Sequence, residues 1–342
     1  MPYFKSLVLA LTLTLMSTMT TATELKPGHP DRYTVVKGDT LWDISAMFLN
    51  TPWLWPEIWH ANPQVANPHL IYPGDLLTLI YIDGQPRLQL NRGYRTVKLS
   101  PQARTESLTD AIPTIPFDRI QQFLSKPLVV GKDELAQAAY VVSSAGEHLI
   151  TGAGDNVYVR GLGATSNSRY NLFRPGDTYI DPLTDEILGY EAIYLGEGKL
   201  TRAGDPATMK LLKTTREIAN GSRVLPAQDE SINSHFAPHE PAAGANGSII
   251  AVVDGVTQIG QYQVVVINRG ARESIDVGTV FAVEKRGAIV PDRFSGLKND
   301  SVKLPDEEAG LLMVFRVFEK VSYAVVMEAT QTLNVGDNIV AP

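Results

Sequence analysis

Between Tyr33 and Ile80 the chain passes through a full set of strand, turn and helix signals within about fifty residues, and this stretch limits the fold more than any other. Thr34-Val35-Val36 has β-branched strand character, and Lys37-Gly38-Asp39 is a tight turn. Asp39 or Thr40 can cap the helix that follows by accepting hydrogen bonds from its free N–H groups. Leu41, Ile44, Ser45 and Phe48 recur at helical spacing and give it one face to bury. Pro52 stops this helix. Pro56 suits the first turn of a second helix carrying Ile58 and Trp59, and Asn62-Pro63 ends it, because a residue before proline avoids the helical region. Pro73-Gly74-Asp75 then turns the chain into a strand at residues 76–80. The expected unit is a compact βααβ domain whose core is thin, so burial of its Trp residues matters.

Gly38-Asp39-Thr40-Leu41 after a strand, Asn-Pro two-thirds along and Ile71-Tyr72-Pro73-Gly74-Asp75 before the last strand occur in the order found in LysM glycan-binding modules. Residues 31–82 resemble that family. The resemblance implies a sugar groove between two loops, here Gly38, Asp39, Thr40, Leu41 and Trp42 on one side and Asn67, Pro68, His69, Leu70 and Ile71 on the other. Backbone N–H and C=O groups of these loops would bond the N-acetyl groups of N-acetylglucosamine units, and Leu41 and Ile71 would touch the sugar faces. Trp53-Leu54-Trp55-Pro56 with Trp59 departs from the commonest modules. Its rings are read mostly as core, with a sugar-stacking platform as the alternative.

Residues 1–22 have the design of a secretory signal peptide, with Lys5 near the start, an apolar run over residues 7–16 and small residues at Thr20 and Ala22. The apolar run is too short for a permanent span, and no later segment reaches transmembrane length. The chain has no cysteine, which excludes disulfides and thiol catalysis and fits an oxidising envelope compartment. Its formal net charge of -7 argues against broad nucleic-acid binding. A periplasmic location, associated with wall and outer membrane, is the expectation.

Beyond the first module, residues 83–116 read as a polar, partly extended linker, and short helices are expected at residues 117–124 and 132–139. Residues 229–247, rich in Ser, Pro, Ala, Asn and Gly, read as a flexible linker. These breaks bound a middle domain at 117–228 and a C-terminal domain at 248–342, both mainly β, each a small barrel or curled sheet. The fold class expected is therefore α+β multidomain. The two β regions read as diverged copies: residues 155–161 answer 262–270, 174–179 answer 276–281, 188–201 answer a segment opening at Gly310, and 218–226 answer 333–342. Within the last copy, Leu312, Val314, Arg316 and Phe318 are expected on one face and Met313, Phe315, Val317 and Glu319 on the other.

The six histidines lie at 29, 60, 69, 148, 235 and 239, and only His235 and His239 are close, in the linker-like stretch, so no metal site and no cofactor is expected. Glu106 and Glu273 each precede a Ser, a pairing used by some wall-cleaving enzymes, but both stand in linker-like or β-type sequence. Turn glycines explain Gly152-Ala153-Gly154 and Gly161-Leu162-Gly163 better than a nucleotide loop does. The layout as a whole, closing on Gly336-Asp337-Asn338-Ile339-Val340, resembles the family of type IV pilus secretin-associated LysM proteins, whose C-terminal part is similar to that of a flagellar assembly protein. That resemblance implies a non-enzymatic clamp. Peptidoglycan would be held at one end and the outer-membrane secretin ring at the other, with many copies around the ring and residues 311–319 as a candidate edge for strand addition. A wall-remodelling enzyme, an activator of one, or a general wall-binding protein are the alternatives.

Overall fold

The structure is a computed structural model of the 342-residue chain, and it describes residues 24–59, 71–91, 112–115, 120, 123, 128–146, 151–163, 167–227, 236–253, 258–292, 294–295 and 300–342. The first unit opens with β1 (Arg32–Thr34), followed by α1 (Leu41–Phe48), a 3-10 turn at Pro52–Leu54, α2 (Trp55–Trp59) and β2 (Leu76–Ile82). β1 pairs antiparallel with β2, with Tyr33 opposite Leu77. A third strand, β3 (Gln85–Asn91), pairs with β2 along its whole length. The expected linker at 83–116 is corrected here: its first residues turn through Asp83 and Gly84, both at positive φ, and extend the module's sheet. Alternation explains the strand, since Leu88 and Leu90 face the module core with Leu77 while their neighbours are polar. Leu41, Ile44, Phe48, Trp55, Ile58 and Trp59 complete that core.

The middle domain contains β4 (Leu128–Val130), a short helix α3 (Glu134–Gln137), β5 (Ala139–Ser144), β6 (Asn156–Arg160), β7 (Arg169–Ile180), β8 (Ile187–Arg202), β9 (Ala207–Thr214) and β10 (Arg223–Pro226). All neighbours are antiparallel and run β8-β7-β10-β5-β6-β9, and β9 returns to β8, so six strands close into a ring with β4 added along β8. Val141, Val157, Val159, Tyr170, Leu172, Met209 and Leu211 fill it. Of the helix expected at 117–124, Ile120 and Phe123 are helical and the rest lies outside the described residues.

The last domain comprises β11 (Asn246–Val252), β12 (Gln258–Ile259), β13 (Val264–Ile267), β14 (Val280–Lys285), β15 (Ile289–Pro291), β16 (Ser301–Lys303), β17 (Glu307–Val317), β18 (Ser322–Ala329), β19 (Leu333–Asn334) and β20 (Asn338–Val340). β11-β13-β18-β17-β14-β20 form a closed barrel, while β12-β19 and β15-β16 are small appended pairs. The expected flexible linker is corrected over residues 236–247: Phe236 is buried, the His239 backbone bonds those of Gly278 and Val280, and β11 already begins at Asn246.

Strand for strand the two barrels have one topology, with β5, β6, β7, β8, β9 and β10 in the places of β11, β13, β14, β17, β18 and β20. Their irregularities coincide. The ladder slips between Glu197 and Gly198 and between Leu200 and Arg202 in one barrel, and between Leu311 and Leu312 and between Val314 and Arg316 in the other. These markers match Gly196 to Gly310 and Leu172 to Val283, so the correspondences expected from sequence for 174–179 and 188–201 are displaced. Those for 155–161 and 218–226 fall on equivalent strands. The bulge after Val314 also corrects the expected alternation: Leu312 and Val314 point into the barrel and Met313 and Phe315 outward, but beyond it Val317 turns inward and Phe318 outward. Residues 311–314 offer no edge for strand addition, because they are paired with β18 on one side and with β14 and the residues just before it on the other.

The outer face of the C-terminal barrel is itself apolar and covered. Val264, Val266, Met313, Phe315, Tyr323, Val325 and Met327 pack in one cluster with Trp42 and Trp53 of the first module, Ile115, Ile120 and Phe123, and Tyr179 and Leu188 of the middle domain. Polar contacts pin the same assembly. The Asn268 side-chain amide donates to Asp181 Oδ2 at 2.8 Å, and Glu186 Oε1 lies 2.8 Å from Arg272 Nη1 and 2.6 Å from Lys320 Nζ. Among the described residues no helix is long and apolar enough to cross a membrane.

Candidate functional site

Two turns of the first module lie side by side. Gly38 takes a φ of 104° and Gly74 one of 96°, conformations that a side chain disfavours. In the first turn Asp39 Oδ2 accepts from the Val36 N–H at 2.8 Å and from the Tyr33 hydroxyl at 2.9 Å. Burial, together with the Asp39 hydrogen bond and charge, raises the Tyr33 phenol above its ordinary value and keeps it a donor. In the second, Asp75 Oδ2 accepts from the Tyr72 N–H at 3.0 Å. The Val35 N–H donates to the Asp75 carbonyl at 2.9 Å and the Gly74 N–H to the Val35 carbonyl at 2.7 Å, which ties the turns together.

A helix start leaves four N–H groups without intrahelical partners. In α1 the cap expected at Asp39 or Thr40 falls on Thr40, whose Oγ1 accepts from the Asp43 N–H at 3.1 Å and whose carbonyl accepts from Ile44 at 3.1 Å. The Ile44 bond is the helix's own first one; of the four leading donors, Asp43 is capped by Thr40 and two more find partners far along the chain. The Leu41 N–H donates to the Pro113 carbonyl at 3.0 Å and the Trp42 N–H to the Thr114 carbonyl at 3.1 Å. Across from them the Ile71 carbonyl accepts from the Ile112 N–H at 2.8 Å. The tetrapeptide Ile112-Pro113-Thr114-Ile115, bent at Thr114 and Ile115, thus bridges the start of α1 and Ile71, the described parts of the two loops read from sequence as a sugar groove.

Of the residues expected at that groove, the structure brings Leu41 and Ile71 together in the module core beside the Gly38-Asp39-Thr40 turn, whereas the Trp42 ring turns to the outer face of the C-terminal barrel. Asn67, Pro68, His69 and Leu70 lie outside the described residues. Leu41 and Ile71, expected to touch sugar faces, are 3% and 0% exposed and sit in the module core, so what the site offers is backbone donors and an acceptor. The rings of Trp42, Trp53, Trp55 and Trp59 are buried too. Sequence reasoning missed residues 112–115 because they fall in a stretch read as linker. Their signal was local: Ile112 and Ile115 each precede a proline, which narrows the conformations open to each, and two isoleucines are out of place in a solvated tether.

Elsewhere, His239 Nε2 meets Asp276 Oδ1 at 2.8 Å and Thr279 Oγ1 at 3.3 Å, a contact that fastens the segment before β11 to the start of β14, while His235 lies outside the described residues. Glu273, beside Ser274, accepts from the Gly270 N–H at 2.9 Å and pairs with Arg272. Between the barrels a cleft of about 490 Å³ is lined by Asp181, Glu186, Arg269 and Arg272, whose charges face one another. Burial alone would raise the Asp181 carboxyl, but the Leu183 and Thr184 amides, the Asn268 side chain and the Arg269 charge hold it below its ordinary value.

The fold is that of a small βααβ recognition module seated on a body of two β-barrels. Residues 33–79 match the LysM domain family, whose members bind N-acetylglucosamine glycans of peptidoglycan. No curated protein matches the chain.

Proposed function

We propose that this chain is a non-enzymatic, periplasmic peptidoglycan-binding protein that holds an outer-membrane type IV pilus secretin to the cell wall. The LysM domain at 33–79 is the observation that carries the wall-binding half. The Leu41 and Trp42 N–H groups and the Ile71 carbonyl, bonded to residues 112–114 in the structure, are the complement of an N-acetyl group's carbonyl and N–H. The secretin half is supported by the resemblance in layout alone. A single module binds sugars weakly, and copies around a ring bind together, which raises avidity with no new contact.

Contact with a secretin would use barrel loops and the β15–β16 hairpin, since β17 has both edges taken over residues 311–314. Phe294 at that hairpin is 98% exposed and Ile289 is exposed beside it.

Co-sedimentation with purified sacculi tests the first half: the full chain should pellet, and a chain lacking residues 24–91 should stay in solution. Equal pelleting of the two would refute the assignment. Secretin complexes purified from membranes should contain the protein in many copies, with or without residues 24–91; complexes that lack it leave the general wall-binding reading. Release of soluble muropeptides from sacculi, abolished by changing a single Glu or His, would replace the non-enzymatic reading by that of a remodelling enzyme.

A further inference from the structure

We propose that residues 112–115 are an internal strap that competes with glycan for the LysM groove, so that the module binds glycan only when the strap has left; this rests on the reading of that groove as the glycan site. The strap occupies the groups a sugar amide would use. The carbonyls of Pro113 and Thr114 take two leading donors of α1, and the Ile112 N–H takes the carbonyl of Ile71. Glycan and strap cannot hold these groups at once.

The ends of the strap belong to different bodies. Ile112, 4% exposed, completes the module core, whereas Ile115, 1% exposed, lies against the outer face of the C-terminal barrel in the cluster that contains Trp42 and Trp53. Both precede proline, which narrows the conformations open to each isoleucine and lowers the chain entropy lost on docking. Release of the strap therefore opens the groove and at the same time removes one of the contacts, that of Ile115, which seat the module on the barrel beside Trp42, Trp53 and the Tyr262–Asp43 bond. Glycan affinity and seating of the module are opposed, and the apparent affinity falls by the fraction of molecules whose strap is out.

Calorimetric titration of the full chain with an oligomer of β-1,4-linked N-acetylglucosamine tests this. The Ile112→Ser/Ile115→Ser double variant, which leaves every groove residue in place, should bind about tenfold tighter or better than the wild type. Hydrogen exchange of the wild type needs no variant: saturating oligomer should speed exchange at the Ile112 amide while those of Leu41 and Trp42 stay protected. Equal affinity in the two proteins, with Ile112 protected throughout, overturns the strap and leaves the glycan reading intact. Weaker binding by a variant whose β2 and β3 amides, in the module, remain protected also overturns it, since the strap would then complete the site. Failure of both proteins to bind the oligomer, with fast exchange at Leu41 and Trp42 in the variant, removes the glycan reading and the strap with it.

Discussion

Tyr262 and Gly154 hold one position in the two barrels. Each sits at positive φ, 65° and 98°, and each donates its backbone N–H to the neighbouring strand, to Val326 at 2.7 Å and to Leu211 at 2.8 Å. A tyrosine pays for that conformation with strain of order 1 kcal/mol, which glycine avoids. What the tyrosine gains is reach: its hydroxyl lies 3.3 Å from Asp43 Oδ1 on α1. Tyr262→Gly should therefore leave the barrel as stable as before, or stabilise it by about 1 kcal/mol, while α1 exchanges its amides faster; urea unfolding and hydrogen exchange on the full chain measure the two effects. Thr40 acts in the opposite sense. Thr40→Ala removes the acceptor of the Asp43 N–H and should cost the module about 1 kcal/mol, seen as loss of amide protection in α1 before the barrels unfold.

At the scale of elements, closure of each barrel depends on glycines where strands cross closely. A Cβ on Gly310 would lie 2.2 Å from the Glu328 carbonyl oxygen, and one on the equivalent Gly196 would lie 2.4 Å from that of Lys213. Both neighbours are backbone and cannot swing aside, so Gly310→Ala and Gly196→Ala should each destabilise by about 1–3 kcal/mol, read as a lower urea midpoint. The hairpin tips correspond as well. Asp181 Oδ1 accepts from the amides of Leu183 and Thr184, and Asp292 Oδ1 from those of Phe294 and Ser295. The first tip is anchored on the C-terminal barrel through Asn268, whereas Phe294 stands in solvent. Repetition was legible in the sequence at Ile218 and Leu333, which both precede a turn glycine and a short strand. It was misaligned at β7 and β8 because their length beyond the barrel is a hairpin extension, and apolar alternation looks alike in wall and extension.

Across the whole molecule, Glu186 is, with Asp181, one of the carboxylates whose contacts between the barrels respond to pH. Hydrogen bonds from Arg272 and Lys320 lower the Glu186 carboxyl from 4.5 to about 2. A depressed carboxylate contributes stability above its unfolded value and loses it as pH falls through the folded one, so the contact should weaken between pH 4.5 and 2. Glu186→Gln should remove the Glu186 share of that pH dependence, measured as exchange of the Arg272 and Lys320 segments, and the wild-type contact should be salt-sensitive above this window, where the partly exposed pair is ionised, and lose that sensitivity through it. A wild type and variant with the same acid profile would exclude Glu186 as a source of it.

The sequence by itself determined the local things: the βααβ order at 33–80, the cap before Leu41, the turns at Gly38 and Gly74, and the mainly β character of the rest. Each follows from propensity and spacing within a few residues. Tertiary structure alone decided which polar groups meet. The Leu41 and Trp42 amides find carbonyls at Pro113 and Thr114, the second strand edge of the module is closed by residues 85–91, and apolar residues on the outer face of the last barrel are covered by Trp42, Trp53 and Ile115. No periodicity encodes these partners. They are fixed by satisfying buried donors and covering apolar surface between segments far apart in the chain, a condition that exists only once the separate units are folded.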